Sequence, residues 1–442
     1  MKIFADSPLA RICIFLYLTY GWSLFSLRGQ NFDPYDSVLE LARTHVDTLT
    51  SDYMGGRGYV ANGHQRAARY IAHEFKRLGF RPVGKNGYLQ PFGFEINLPT
   101  DAKVQIDGTS MVAGKDFIVN RFSGSGAGSF KVLDVGYGLQ PPRKVKNRVI
   151  LFRSGFPPEI ANDSEQREKY AELARDDQRI EAMMKAAKPA GFIIVKSKLT
   201  AGFTASNLPL PVIEFVEDSL PQAVRRIEWD IKSSRTKIES QNVLGLLPGT
   251  QRQDSMWILT AHYDHLGRYA EALFTGANDN ASGISMLLSL AEYFSKNPLD
   301  RPILFVGFSG EEAGLQGSRY YALQEPIISL RRFQFILNLD LMGNGVDGIM
   351  AVGGKDFPAA FQHLQQVNDS LEAVPKVRAR KNAPNSDHYF FLKSGVPGFF
   401  IYTLGGPPHY HDVQDNAQNL EFSRFVEVRE LLIRFMETYH PR

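Results

Sequence analysis

The sequence predicts an α/β protein: a mostly parallel, mixed sheet with helices on both faces, plus a small β-rich inserted domain. Three observations carry this. From Gln241 onward, continuous apolar runs alternate with helical patterns, as in strands buried on both faces. Between about 100 and 240 the apolar runs are short strands interrupted by one charged helical stretch. The chain has 442 residues, and at about 150 per domain that suggests two or three domains. The composition, 43% hydrophobic and 22% charged, excludes wholesale disorder, a collagen-like fibre and a multi-span membrane protein. Fifty Lys+Arg stand against 47 Asp+Glu, a net charge of +3. So small an excess gives no reason to expect a nucleic-acid partner. A single cysteine excludes a disulfide scaffold and a Cys-based zinc site.

Residues 1–30 read as an export signal. Lys2 and Arg11 precede an uncharged apolar run, 12–27, which Arg28 and Gly29 close. The run is shorter than the roughly 20 residues a spanning helix needs, so no stable membrane insertion is expected after its removal. An uncleaved anchor is the alternative. Cys13 lies inside the run, so the mature chain is free of thiols, which suits a periplasmic or secreted protein. Residues 31–99 are expected to be an N-terminal helical part. Two helices are read between Asp36 and Phe80, the second over about 63–78. It carries Ala67, Ala68, Ile71, Phe75 and Leu78 at helical spacing, with Gly79 as its stop.

Residues 100–240 are expected to be the insert. Its strands are FKVLDV (130–135), RVILF (148–152), GFIIV (191–195) and PVIEF (211–215), and a charged helix with a solvated face covers about 163–188. Residues 241–442 form the third part. Its strands are NVLGLL (242–247), MWILTA (256–261), PILFVGF (302–308), FQFILNL (333–339), IMAV (349–352) and GFFIY (398–402), with helices over 280–296, 357–371 and 420–438.

Acids and histidines gather where these strands end. MWILTA runs into His262-Tyr263-Asp264-His265 and PILFVGF into Ser309-Gly310-Glu311-Glu312. FQFILNL is followed by Asp340, and GFFIY, after a Gly-Gly-Pro-Pro loop, by His409-Tyr410-His411. Asp279 opens the helix that follows the first of these strands. In open α/β sheets ligands bind beyond the carboxyl ends of the strands. Several carboxylates in one cleft would repel each other unless a cation neutralised them. Mixed His and Asp/Glu donors suit zinc, and this many suit two ions sharing a carboxylate. Other chemistries lack their motifs. H-E-x-x-H is absent, Gly307-Phe308-Ser309-Gly310-Glu311 is not a nucleophile elbow, and there is neither a P-loop nor a dinucleotide fingerprint.

The segments around His262 and Asp264, Asp279, Glu311 and Glu312, Asp340 and His411 resemble, in order, the dizinc aminopeptidase and glutamate carboxypeptidase family of metallopeptidases. The resemblance implies the zinc exopeptidase fold and a middle part similar to a protease-associated domain. It also implies two Zn2+ ions, peptide substrates and removal of N-terminal residues. His262 and Asp340 would hold one ion, Glu312 and His411 the other, and Asp279 both, with a cis peptide after it. Glu311 would be the general base toward the attacking water, and Asp264 would hydrogen-bond the far nitrogen of His262. Relatives place a carbonyl-binding Tyr shortly before the Ser386-Asp387-His388 segment. Here Ala383, Pro384 and Asn385 stand there, so Tyr389 and His388 are the candidate substrate contacts.

Each residue has a blander alternative when taken alone. Asp279 and Asp340 could cap turns, Glu311 and Glu312 could be first-turn helix charges, and His265, His388 and His409 could be structural. The ordered set favours the metal. A carboxypeptidase or dipeptidase of the same fold is the rival, with Arg378, Arg380 and Lys381 available to hold a C-terminal carboxylate. Glutaminyl cyclase and a non-catalytic receptor-like module, both relatives of the family, are the remaining alternatives.

Overall fold

The computed structural model describes residues 34–440, apart from 144 and 270, so the expected export signal lies outside the described residues. Two helices come first, α1 (Tyr35–Thr50) and α2 (Gly63–Arg77). Ala67, Ala68, Ile71 and Phe75 line the buried face of α2. Gly79 follows at φ +76°, a left-handed conformation that favours glycine. Strand β1 (Leu89–Ile106) then departs from the expected helical part. Phe92, Phe94, Ile96 and Leu98 are buried at every second position, and a period of two belongs to a strand.

The middle of the chain supplies β2 (Phe117–Val119), β3 (Gly126–Asp134), β4 (Arg148–Arg153), α3 (Asp176–Ala186), β5 (Gly191–Lys196) and β6 (Val212–Val216). Strands β3 to β6 run parallel, and β2 lies antiparallel on β6. The helix expected over about 163–188 is broken into Ser164–Lys169, a turn at Ala171–Leu173, and α3. Local capping explains the break. Asp163 caps the first piece, and the Gln178 side chain accepts from the Arg175 amide to restart the helix. Most of its charge is solvated as expected. Arg179 is the exception: it is buried and donates to the carbonyls of Leu173 and Arg153.

Strand β7 (Arg226–Leu247) runs 22 residues and leads into the remaining elements. These are β8 (Met256–His262), α4 (Gly283–Lys296), β9 (Ile303–Phe308), β10 (Phe333–Leu339), β11 (Gly348–Val352) and α5 (Pro358–Leu371). Next come β12 (Val377–Arg380), α6 (Tyr389–Lys393), β13 (Gly398–Leu404) and α7 (Phe425–Thr438). Among the described residues all the strands named so far join one 15-stranded sheet. Its main path is β12-β11-β13-β10-β8-β9-β7-β3-β4-β5-β6-β2, with β1 paired along β7. The boundaries expected at 99/100 and 240/241 therefore fall inside β1 and β7.

Helices cover both faces. Along β9, Phe305 meets Phe75 of α2, whereas Leu304, Val306 and Phe308 share a core with Phe391 of α6. A second core joins Tyr59, Phe94 and Tyr269 to Phe117, Ile193, Phe203, Phe215 and Trp229 of the middle part. No helix among the described residues is long and apolar enough to cross a membrane.

Candidate metal centre

Strands β9 and β10 flank β8 in parallel and β13 runs parallel to β10, so the carboxyl ends of all four lie along one edge. His262 is the last residue of β8, Asp340 directly follows β10, and Glu311 and Glu312 follow β9. Asp279 lies in the irregular turn Ala277–Ser282 ahead of α4, with its peptide to Asn280 cis, as the resemblance implies. His411 comes from the loop after β13 at φ +54°.

These residues meet. The Nε2 atom of His262 is 3.4 Å from Asp279 Oδ1 and 3.3 Å from Asp340 Oδ1. The Nε2 atom of His411 is 3.2 Å from Asp279 Oδ2 and 3.0 Å from Glu312 Oε2. The two oxygens of Asp279 thus face two separate donor groups. Glu311 offers an oxygen to the first group, within 4.8 Å of His262 and Asp340. His265, Asp279 and Glu312 also come within 4.8 Å of one another. Donors bound about 2.0–2.2 Å from one tetrahedral zinc stand about 3.3–3.6 Å apart; the His262 separations fall in that range and those of His411 just below it.

Hydrogen bonds fix the imidazole tautomers. The Nδ1 of His262 faces the Asp264 carbonyl at 3.2 Å, and that of His411 faces the Ala201 carbonyl at 2.8 Å. A carbonyl only accepts, so Nδ1 carries a proton and Nε2 is the nitrogen each ring turns toward the carboxylates. Asp264 meets the far nitrogen of His262 through its backbone oxygen, while its Oδ1 lies 4.0 Å from Nδ1. The carboxylate instead accepts from Tyr59 Oη at 2.6 Å and from the amides of Glu311 and Glu312, each at 3.3 Å. It anchors the turn that carries both glutamates.

Other supports left no pattern in the sequence. Asp415 accepts from the amides of Asn278 and Asp279 at 2.7 and 3.0 Å. The fully buried Arg57 donates to the carbonyls of Tyr263, Thr275 and Gly276, caging the loop around Asp279. A chain from Thr260 through Asn338 to Ser386 ends on Asp340 Oδ2 at 2.9 Å. Asp340 Oδ1 is buried and has no hydrogen-bond donor among the described residues.

The electrostatics follow from this crowding. Burial, followed among the raising influences by the charges of Glu312, Asp387 and Asp340, holds Glu311 well above the usual carboxylate range, although His262 opposes it. Burial would raise Asp279 too, but its hydrogen bonds to His262 and His411 outweigh that and pull it well below. Burial opposes charge on His262, yet the carboxylates of Asp340 and Glu311 prevail and raise it.

A cleft of about 630 Å³ reaches this edge at Glu312, Tyr410 and His411. Its other walls come from the middle part, among them Phe122, Lys196, Phe203 and Glu214. Two candidates are placed elsewhere. His388 is fully buried against Phe400 with no surface to offer a substrate. Tyr389, in α6, packs against Phe390. Tyr410, which the sequence reading passed over, stacks on His411 at 3.9 Å. Burial and then the charges of Asp279, Glu312, Glu311 and Asp340 push its hydroxyl above the usual tyrosine range. Arg378 lines a separate recess with Asp347 and Lys376, and neither Arg380 nor Lys381 is among the cleft residues.

Residues 242–436 match the sequence profile of peptidase family M28. Aminopeptidase YwaD of Bacillus subtilis is 25% identical over 363 residues, spanning 76% of this chain and 75% of that one. The structure of a zinc aminopeptidase from Bacillus subtilis superposes with a TM-score of 0.65 at 20% identity, covering 90% of this chain and 94% of that one. A peptidase M28 precursor from Shewanella amazonensis gives 0.64 at 17%, covering 92% and 98%. At these identities the two structures speak for the fold alone, whereas the matched profile contains His262, Asp279, Glu312, Asp340 and His411. Fold and profile agree, and residues 242–436 belong to peptidase family M28.

Proposed function

We propose that this metallopeptidase is an exported dizinc aminopeptidase, which takes single residues from the N-terminus of peptides. One observation carries the two-ion reading: Asp279 turns Oδ1 toward His262 and Asp340, and Oδ2 toward His411 and Glu312. Nitrogen and oxygen donors in this mixture suit zinc, and the buried, donorless Asp340 Oδ1 is explained by a cation. His262, Asp340 and Asp279 would hold one ion, and His411, Glu312 and Asp279 the other. When bound, the ions supply Lewis acidity to the scissile carbonyl and to the attacking water.

The chain's own residues do the rest. Glu311 stands beside the first group, takes the water's proton at a carboxylate oxygen and returns it to the leaving amine. Tyr410 replaces Tyr389 as the donor to the carbonyl oxygen, because it lines the cleft beside Glu312 and stacks on His411. Asp264 and Tyr59 hold the glutamate turn in register. Arg378, which a carboxypeptidase would use, lines a separate recess with Asp347 and Lys376. Both donor groups are complete, which favours a two-ion peptidase over a cyclase or a receptor-like module. Export rests on residues 1–30, and the middle part is read as a protease-associated-like insert that walls the cleft.

A panel of aminoacyl-chromophore substrates and their N-acetylated counterparts tests this, run with chelator and with zinc restored. Hydrolysis of the free-amine substrates only, lost with chelator and regained with zinc, is expected. Preference for the acetylated peptides would overturn the aminopeptidase reading.

A further inference from the structure

His265 stands three residues beyond the end of β8 and is fully buried. Its Nδ1 lies 2.6 Å from Glu312 Oε1, while Oε2 of the same carboxylate lies 3.0 Å from His411 Nε2. The ring has little freedom. A Cβ on Gly276 would lie 2.4 Å from His265 Cδ2, so the loop that carries Asp279 closes directly on the imidazole edge. Gly276 itself is left-handed at φ +60°, so glycine is required there both for space and for backbone conformation.

His265 could in principle be a ligand, since it shares a 4.8 Å neighbourhood with Asp279 and Glu312. The separation at Nδ1 decides against that nitrogen as a ligand. Two donors on one tetrahedral zinc stand about 3.3–3.6 Å apart. The His262 contacts fall in that range and the His411 contacts just below it, whereas 2.6 Å is too short for two donors on one ion and is a short hydrogen bond to an ionised acceptor. A carboxylate can bind a metal through either oxygen or both. A donor fixed on Oε1 occupies that oxygen and leaves Oε2 for the metal.

We infer that His265 is a positioning residue, which pins Glu312 through Oε1 and commits Oε2 to the ion shared with His411 and Asp279. This rests on the dizinc reading above. Outer partners of this kind are worth about 10–100-fold in metal affinity. The test is zinc titration of the purified full chain in chelator-buffered solution, resolving the two equivalents. His265→Ala removes the donor. His265→Asn puts an amide N–H near the place of Nδ1 without an imidazole. The Ala variant is expected to weaken one equivalent by about 10–100-fold and leave the other near wild type. The Asn variant is expected to restore most of the loss. Should the Ala variant fail to fold, His265→Leu fills the ring's space without a donor and takes its place. Unchanged affinity for both equivalents would overturn the inference. So would an Asn variant as weak as the Ala variant, since the imidazole would then be a ligand. A wild-type chain that binds fewer than two equivalents defeats the dizinc reading itself.

Discussion

Glu311 and Glu312 are neighbours in sequence with opposite surroundings. Burial and the carboxylates around Glu311 raise it, whereas Glu312, buried too, is held down to about 2 by His411 and then His265. The two substitutions should therefore fail differently. Glu311→Gln keeps size and polarity but cannot take a proton, so turnover should fall by at least about 100-fold with zinc content near normal. Glu312→Gln should instead lower zinc content, because an anionic donor is gone. Metal analysis beside turnover for both variants checks this, and full turnover in the Glu311 variant would remove its role as base. Tyr410→Phe should lower kcat by about 10–1000-fold while KM stays within a few-fold, the pattern of a donor used mainly in the transition state. At this scale the sequence was most legible for His262, Asp279, Glu312, Asp340 and His411, because each lies at or just past the end of an apolar run, in the loop that follows one, or where a helix opens. Tyr59, Arg57, Asp415 and Ser386 act through one or a few hydrogen bonds across long stretches of chain. Such contacts leave no spacing or periodicity to read.

The elements around His411 belong to two parts of the chain. The loop after β13 carries the histidine, and the segment after β5 holds it. The Ala201 carbonyl takes the Nδ1 proton, the Ala201 amide donates to the His411 carbonyl at 3.3 Å, and Lys198 Nζ donates to the carbonyls of Pro408 at 2.5 Å and Tyr410 at 3.1 Å. The middle part thus reaches past the cleft and orients a member of the centre. Lys198→Met keeps most of the side-chain length and removes the ammonium. Lys198 holds the loop and not the imidazole, so it stands one step further from the metal than a ligand's direct hydrogen-bond partner. Its loss should leave the fold intact, weaken the zinc equivalent at His411 by about 3–10-fold, less than the loss of a direct partner, and raise KM. An unchanged zinc titration would show that the Ala201 bonds suffice without the lysine. This dependence was illegible beforehand because its main acceptor is a backbone carbonyl, which every residue has. The broken helix over 163–188 was equally hidden, since its charge pattern continues across the turn at Ala171–Leu173 while the caps at Asp163 and Arg175 interrupt it.

At the scale of the whole molecule, the apolar runs and helical spacings of residues 241–442 marked most of the strands and helices to within about five residues, but not β12 or α6. Alternating strands and helices can close in few ways when both faces of the sheet must be covered. The joint between the parts is where the pattern was silent. Strands β1 and β7 alternate in burial along their length and continue through both expected boundaries, 99/100 and 240/241. The core they support is shared: Phe203 of the middle part packs between Tyr59 and Tyr269 at 5.3 and 5.8 Å, and Tyr269 donates to the Gly202 carbonyl at 3.0 Å. Parts that share strands and a core lose each other's support when either unfolds, so residues 39–440 should melt as one cooperative unit. Scanning calorimetry of the zinc-loaded protein should give one transition whose calorimetric and van't Hoff enthalpies agree. Excising 107–225 should leave Trp229, Ile227 and Ile231 without their cover and yield a chain that fails to unfold cooperatively. Two resolved transitions, or a soluble excised chain with a sharp transition of its own, would show that the middle part is an independent domain and that its walls on the cleft can move against the metal centre.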